Sequence, residues 1–281
     1  MTTTLAPDSP LVVAVRAALA GAGDPERAAG QQAYMKSSMP YRGLTSPELR
    51  AVLRPLLADP ALAPASREAW EADVRALWDH AEYREDRYAA LALTAHRAAR
   101  PWQDPRALGL YRYLVETGAW WDYVDLVAAD RVGPILLRHR LIVTPMLRAD
   151  AVDDHLWVRR TAILAQLKHR EETDLDLLSD VIDANLEGST FGKEFFIRKA
   201  IGWALRQHAR VDPEWVRAFV EARGERLSGL SRRAASSTSD PPPPPAPPAT
   251  QPPSHPATDS AKSGALRRVM VVYGPDVART T

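Results

Sequence analysis

The chain has 281 residues, 36 Lys and Arg against 35 Asp and Glu for a net charge of +1, and no cysteine. Without cysteine there are no disulfides, thiolate nucleophiles or cysteine metal sites. With so little net charge, a nucleic-acid partner has to be announced by local charge rather than by the total. The apolar fraction of 46% is ample for a core. The first eight residues, Met1 to Asp8, lack a basic stretch followed by an apolar run, so no signal peptide is expected. No apolar stretch approaches the roughly 20 residues that a membrane span requires. The expectation is a soluble, cytoplasmic protein with no membrane association.

In chain order, the most repeated signal is a capping residue followed by proline: Ser9-Pro10, Asp24-Pro25, Ser46-Pro47, Asp104-Pro105, Thr144-Pro145 and Asp212-Pro213. Proline suits a first helical position, whose N–H has no partner, and the residue before it accepts from the next turn. Glu26, Glu48 and Glu214 follow directly and favour the positive end of a helix dipole. Gly21, Gly118, Gly188 and Gly224 read as helix stops. Between these signals apolar residues recur at helical spacing, as in Trp70, Val74, Leu77 and Trp78, or Leu175, Leu178, Val181 and Ile182. No alternating strand stands out, so an all-α chain is predicted.

The helices are self-similar. Trp157-Val158-Arg159-Arg160 leads to His169, and Phe196-Ile197-Arg198-Lys199 leads to His208, at an offset of 39 residues. An earlier copy, Arg87 to His96, leaves a gap that the Trp121–Asp125 stretch fills. Such a period in a helical chain predicts helix-pair repeats of the HEAT or armadillo kind, with inner helices lining one concave surface. Arg87, Asp125, Arg160 and Lys199 then form a row, and for Arg87 a structural tie between helices is the preferred reading. The histidines show no metal-ligand spacing and read as inter-helix packing.

The stretch Trp120-Trp121-Asp122-Tyr123-Val124-Asp125 concentrates aromatic and acidic residues. Trp121 and Asp125 are four apart and share a helix face, where an indole and a carboxylate suit a cation. Core tryptophans with pairing aspartates are the plainer alternative. Positive charge gathers later: Arg131, Arg138, Arg140 and Arg148 occur without an acid between 131 and 149, and Lys193, Arg198, Lys199, Arg206 and Arg210 face only Glu194. Basic stripes with interleaved tryptophans fit the backbone of a duplex. Beyond about residue 235, ten prolines lie between Pro241 and Pro256, and a short apolar run, Val269 to Tyr273, follows. The expected organisation is a folded domain over 1–235 and a proline-rich, disordered tail over 236–281.

Several blocks together resemble the DNA alkylation repair family, the AlkD-type alkylpurine DNA glycosylases. They are Tyr34-Met35-Lys36, Gly43 to Arg50, Trp120 to Asp125, Trp157 to Leu164 and Lys193 to Trp203. The resemblance spans roughly residues 10 to 235. The Gly188 to Gly192 connection falls outside it, looks longer than the family's usual turn, and is expected to shift the Trp203 helix slightly.

The resemblance implies a HEAT-like helical repeat solenoid gripping duplex DNA in a concave groove. It also implies hydrolysis of the N-glycosidic bond of cationic bases such as 3-methyladenine and 7-methylguanine, without base flipping. Asp125 takes the catalytic carboxylate position, Trp121 and Trp203 match the tryptophans that pack on the damaged nucleotide's sugar, and Arg160 matches a DNA contact. Lys199, Arg159, Arg198 and Trp120, with Tyr34 and Lys36, are further candidate DNA contacts. Asp122 is read as structural. Lysines are few, so a monofunctional enzyme acting as a monomer on double-stranded DNA with alkylated bases is expected, with no cofactor and no metal. The rival reading is a non-catalytic HEAT-like scaffold for DNA or protein.

Overall fold

The structure is a computed structural model and describes residues 8–236. Apart from Ser236, the proline-rich tail with its Val269 to Tyr273 run lies outside the described residues. Fourteen α-helices and no strand occur among the described residues. They are α1 (Pro10–Ala20), α2 (Pro25–Met35), α3 (Ser46–Ala58), α4 (Arg67–Asp79), α5 (Arg84–Leu93), α6 (Leu108–Gly118) and α7 (Trp121–Val127), then α8 (Gly133–Arg138), α9 (Arg140–Asp150), α10 (Leu156–Leu164), α11 (Leu175–Asp183), α12 (Phe195–His208), α13 (Pro213–Arg223) and α14 (Gly229–Ala235).

Most of the cap-and-proline signals start helices as their chemistry demands. Ser9, Asp24 and Asp212 accept from backbone N–H groups of the turns they open. At Ser46-Pro47 the cap is one residue earlier. Thr45 and Glu48 bond each other's backbone N–H in a capping box, and Pro47 keeps its place in the first turn. Asp104-Pro105 opens a short 3-10 turn rather than an α-helix. Thr144-Pro145 starts nothing: Pro145 lies inside α9, which begins at Arg140. The helix tolerates it there because Leu141, whose carbonyl Pro145 leaves without a donor, is fully exposed to water.

The chain divides into two compact units. One holds the residues up to Ala63 together with Asp79–Ala89. Here the loop after α2 is closed by a carboxylate. Glu85, 1% exposed, accepts from the backbone N–H groups of Arg42, Gly43 and Leu44 at 2.9, 3.0 and 3.2 Å. Gly43 is required at that point, since its φ of +91° is left-handed and a Cβ would sit 2.0 Å from the Asp24 carbonyl.

The second unit, Pro64–Trp78 with the described chain from Ala90 onward, is the repeat array. In it α7 packs on α10, α10 on α12 and α12 on α14, while α9 and α11 pack together behind α10. This two-layer stacking is the architecture of a helical repeat solenoid. Its core includes Trp70, Trp78, Tyr111, Tyr123, Ile135 and Leu136, all fully buried. The repeat read from the sequence has its counterpart in position, because Trp157 and Phe196 are each the second residue of their helices. The histidine reading also has its contact: His169 Nε2 donates to the Gly133 carbonyl at 3.0 Å, tying the end of one repeat to the next. None of the described helices is long and apolar enough to cross a membrane.

Candidate functional site

The site is built on α7, a helix of only seven residues with unusual ends. Its approach is set by a close contact. Gly118 ends α6 because a Cβ there would lie 2.8 Å from the Trp78 ring. The left-handed turn that glycine would normally take falls instead on Ala119, at φ 43°. An L-residue pays roughly 1–2 kcal/mol for that conformation. Trp120 is then extended and α7 begins at Trp121.

At its far end α7 runs into a π-helical turn, Ala128–Val132, and on into α8. Pro134 cannot donate to the turn before it, and the Asp130 carbonyl takes the Arg131 guanidinium instead, at 2.9 Å. Such π turns are frequent at functional sites.

Asp125 sits in the second turn of α7 with its side chain 13% exposed. Among the described residues it accepts from no backbone N–H. Both oxygens take the guanidinium of Arg160 on α10, Nε to Oδ1 at 2.7 Å and Nη2 to Oδ2 at 2.8 Å. The remaining terminal nitrogen of Arg160 donates to the carbonyl of Phe196 on α12. Burial pushes the Asp125 carboxyl above the ordinary carboxylate range, the Arg160 charge opposes this, and the nearby Asp122 charge adds to it. Asp122 lies in the first turn of α7.

The aromatic residues divide into two groups. Trp121 and Trp203 are half-buried on α7 and α12, and Trp203 Nε1 has no hydrogen-bond partner among the described residues. Trp120 belongs to a cluster that the sequence did not announce. Its ring centroid is 6.2 Å from Trp157 and 5.8 Å from Phe196, which are 4.8 Å from each other. The three rings come from the N-terminal ends of α7, α10 and α12, the helices that supply Asp125, Arg160 and Trp203.

The basic candidates separate sharply. Arg159 and Arg160 are each 4% exposed. Arg159 donates to the carbonyls of Val152 and Asp153 and stacks 5.0 Å over Phe191 of the Gly188 to Gly192 connection. Both guanidiniums are thus engaged within the protein. Lys199 is half-buried beside Phe195, and burial, with the charges of Arg206 and Arg160, holds its amine below the usual lysine value. Arg198 is half-buried and its carbonyl accepts from Ser231, which seats α14. Tyr34 and Lys36, in the first unit, are exposed, and Lys36 is the left-handed cap of α2. No cluster of three potential metal-ligating side chains occurs among the described residues.

Sequence spacing placed Asp125 and Arg160 in one row but not in one contact. The signal that was available was opposite charge on neighbouring repeats, 35 residues apart. Phe196 contributes through its backbone carbonyl, for which no side-chain pattern exists.

Comparison with known proteins agrees across this region. A family model described as DNA alkylation repair enzyme matches residues 15–238. One similar solved structure is described as a predicted DNA alkylation repair enzyme from Enterococcus faecalis. It is 30% identical, covers 77% of this chain and 96% of its own, and has a TM-score of 0.67. No curated protein matches the chain.

Proposed function

Because the chain belongs to the DNA alkylation repair enzyme family, we propose that its role in DNA repair is that of a monofunctional glycosylase acting on cationic alkylated purines, such as 3-methyladenine and 7-methylguanine, in duplex DNA. The domain responsible is residues 1–235. The observation that carries the reading is the Asp125 carboxylate, gripped by Arg160 and, among the described residues, by no backbone donor. A carboxylate so held is oriented in advance and keeps lone pairs for a cation or a water.

Alkylation makes the purine a cation and a good leaving group, so its departure needs little acid catalysis. The sugar is left as an oxocarbenium-like species. Asp125 stabilises that charge more than it stabilises the intact nucleotide, which is the condition for rate acceleration. The indole faces of Trp121 and Trp203 add quadrupole attraction on the sugar. Water activated or positioned by Asp125 completes hydrolysis, and the base need not leave the stack. Arg160 is a positioning residue that fixes the carboxylate's orientation and its ionised form. Lys199, Arg198, Trp120, Tyr34 and Lys36 remain as DNA contacts in this reading.

The deciding measurement is 7-methylguanine release from methylated duplex DNA by wild type and by Asp125→Asn. Release by wild type and loss in the variant, with DNA binding kept, supports the glycosylase and the role of Asp125. Equal release by both removes Asp125 from the chemistry. No release by either protein returns the chain to a DNA-binding scaffold.

A further inference from the structure

Helix α9 is apolar on both sides. Val143 and Leu147 are buried in the core, as is Ala151 at the helix end. On the other side Leu141, Ile142, Pro145, Met146 and Ala149 share one face and are exposed, Leu141 at 96% and Ile142 at 55%. Val152, also exposed, extends that face into the following turn. Arg148 is the one charged residue exposed on α9, and it is turned to Asp180 at 2.7 Å. A surface helix ordinarily carries polar residues on its outer side, and a helix apolar all round is ordinarily covered. A contiguous apolar face left in water marks a binding surface.

The chain carries a segment of matching size and chemistry outside the described residues. Val269-Met270-Val271-Val272-Tyr273 is an uninterrupted apolar run. Five residues reach at most about 17 Å, and the face from Leu141 to Val152 is about 16 Å long. Charges fit at both ends. Arg267 and Arg268 precede the run and Asp276 follows it. Asp154 is exposed just beyond Val152, near the negative end of the α9 dipole, and half-buried Arg140 stands at the positive end. An antiparallel placement brings the two arginines to Asp154 and Asp276 to Arg140.

The reach is sufficient. Ser236 follows α14, and α14, α12, α10 and α9 pack in series within one unit, three steps of about 10 Å each. The 32 residues from Ser237 to Arg268 span up to about 100 Å. The area also favours a tethered occupant. One helix face about 16 Å long and 10 Å wide is far below the roughly 800 Å² per partner of a stable interface between free proteins. A linked segment needs no such area, because its linker supplies a high effective concentration.

We propose that the outer face of α9 is the docking site of the chain's own Val269 to Tyr273 segment. The docking is independent of the reaction proposed above, and it makes the proline-rich stretch a tether.

The experiment labels the methionine methyls of the full chain with carbon-13. Met146 lies on the face and Met270 in the segment, so each side of the contact carries its own reporter. Two variants alter opposite sides: Leu141→Asp, at a position already in water, and V271D/V272D, outside the described residues. A thermal melt of Leu141→Asp checks that the fold is kept. The expected result is reciprocal: Leu141→Asp shifts the Met270 resonance, V271D/V272D shifts that of Met146, and dilution of wild type moves neither. A Met270 resonance unmoved by Leu141→Asp, with Met146 unmoved by V271D/V272D, overturns the proposal. Wild-type resonances that move on dilution toward their positions in the variants assign the face to a second copy of the chain and overturn it as well.

Discussion

Glu85 and Asp125 are both acids turned into the protein, and they are held in opposite ways. Glu85 in the first unit is surrounded by the backbone N–H groups of Arg42, Gly43 and Leu44. Asp125 in the second unit meets no backbone donor among the described residues, where Arg160 holds it. The first carboxylate satisfies the loop around it. The second is oriented by one long side chain from another repeat, and its remaining acceptor capacity points to a task outside the fold. Burial alone does not separate structural from chemical acids. The identity of the donors is the difference on which the role proposed for Asp125 rests.

The strongest way to break this contrast is to neutralise both acids. Asp125→Asn is expected to lower 7-methylguanine release about 100- to 1000-fold, with undamaged-duplex binding retained. In wild type the single-turnover release rate should fall as pH drops, with an inflection above the ordinary aspartate value of roughly 3.9, because burial raises the Asp125 pKa and the proposed mechanism requires the charged form.

Glu85→Gln should behave in the reverse sense, costing about 2–3 kcal/mol of stability for its lost charge-assisted bonds. The release rate per folded molecule should not change. Chemical denaturation read alongside activity checks both halves.

A smaller effect tests how firmly α7 is seated. Gly118→Ala pushes a methyl to within 2.8 Å of Trp78 and 3.1 Å of Tyr123, which pack edge to face at 5.1 Å. After a gain in helix propensity, the net loss should be about 1–2 kcal/mol. An unchanged melting temperature would mean that Trp78 and Tyr123 yield easily and that α7 is loosely held.

The smallest effect concerns a third acid, Asp150, which burial pushes up to about 6 despite its bond to Arg112. Its folded pKa exceeds the unfolded one, so the folded state holds the proton more tightly between roughly pH 4 and 6. The stability it contributes is therefore full below about pH 4 and is lost as pH rises through about 6. Asp150→Asn should be more stable than wild type at pH 7.5 by about 1 kcal/mol. That gain should shrink as the pH is lowered toward 4 in paired thermal melts.

The helical architecture was legible where the signal is local. A capping side chain and a proline act within one turn, which is why Ser9-Pro10, Asp24-Pro25 and Asp212-Pro213 located helix starts. The same dipeptide failed at Thr144-Pro145 because the helix was already under way and the carbonyl left without a donor belongs to Leu141, an exposed residue. Gly118 was read as a stop, yet its smallness serves the approach of Trp78 and the left-handed turn passes to Ala119. That contact joins residues 40 positions apart, beyond the reach of local pattern. In the candidate site, periodicity put Asp125 and Arg160 in one row, but it could not say that Arg160 turns inward to the acid. Which long side chain is consumed inside depends on the packing of α7, α10 and α12 together.

Solenoids usually evolve by gaining or losing whole units, since each touches only its neighbours. The chain of contacts from Asp125 through Arg160 to the Phe196 carbonyl removes that freedom here. A unit inserted between α7 and α10, or between α10 and α12, would separate donor from acceptor at one link, and a deletion would discard a link altogether. Repeat number in the middle of this protein is therefore constrained by that chain of contacts. Changes in array length during descent should concentrate outside the α7–α12 block.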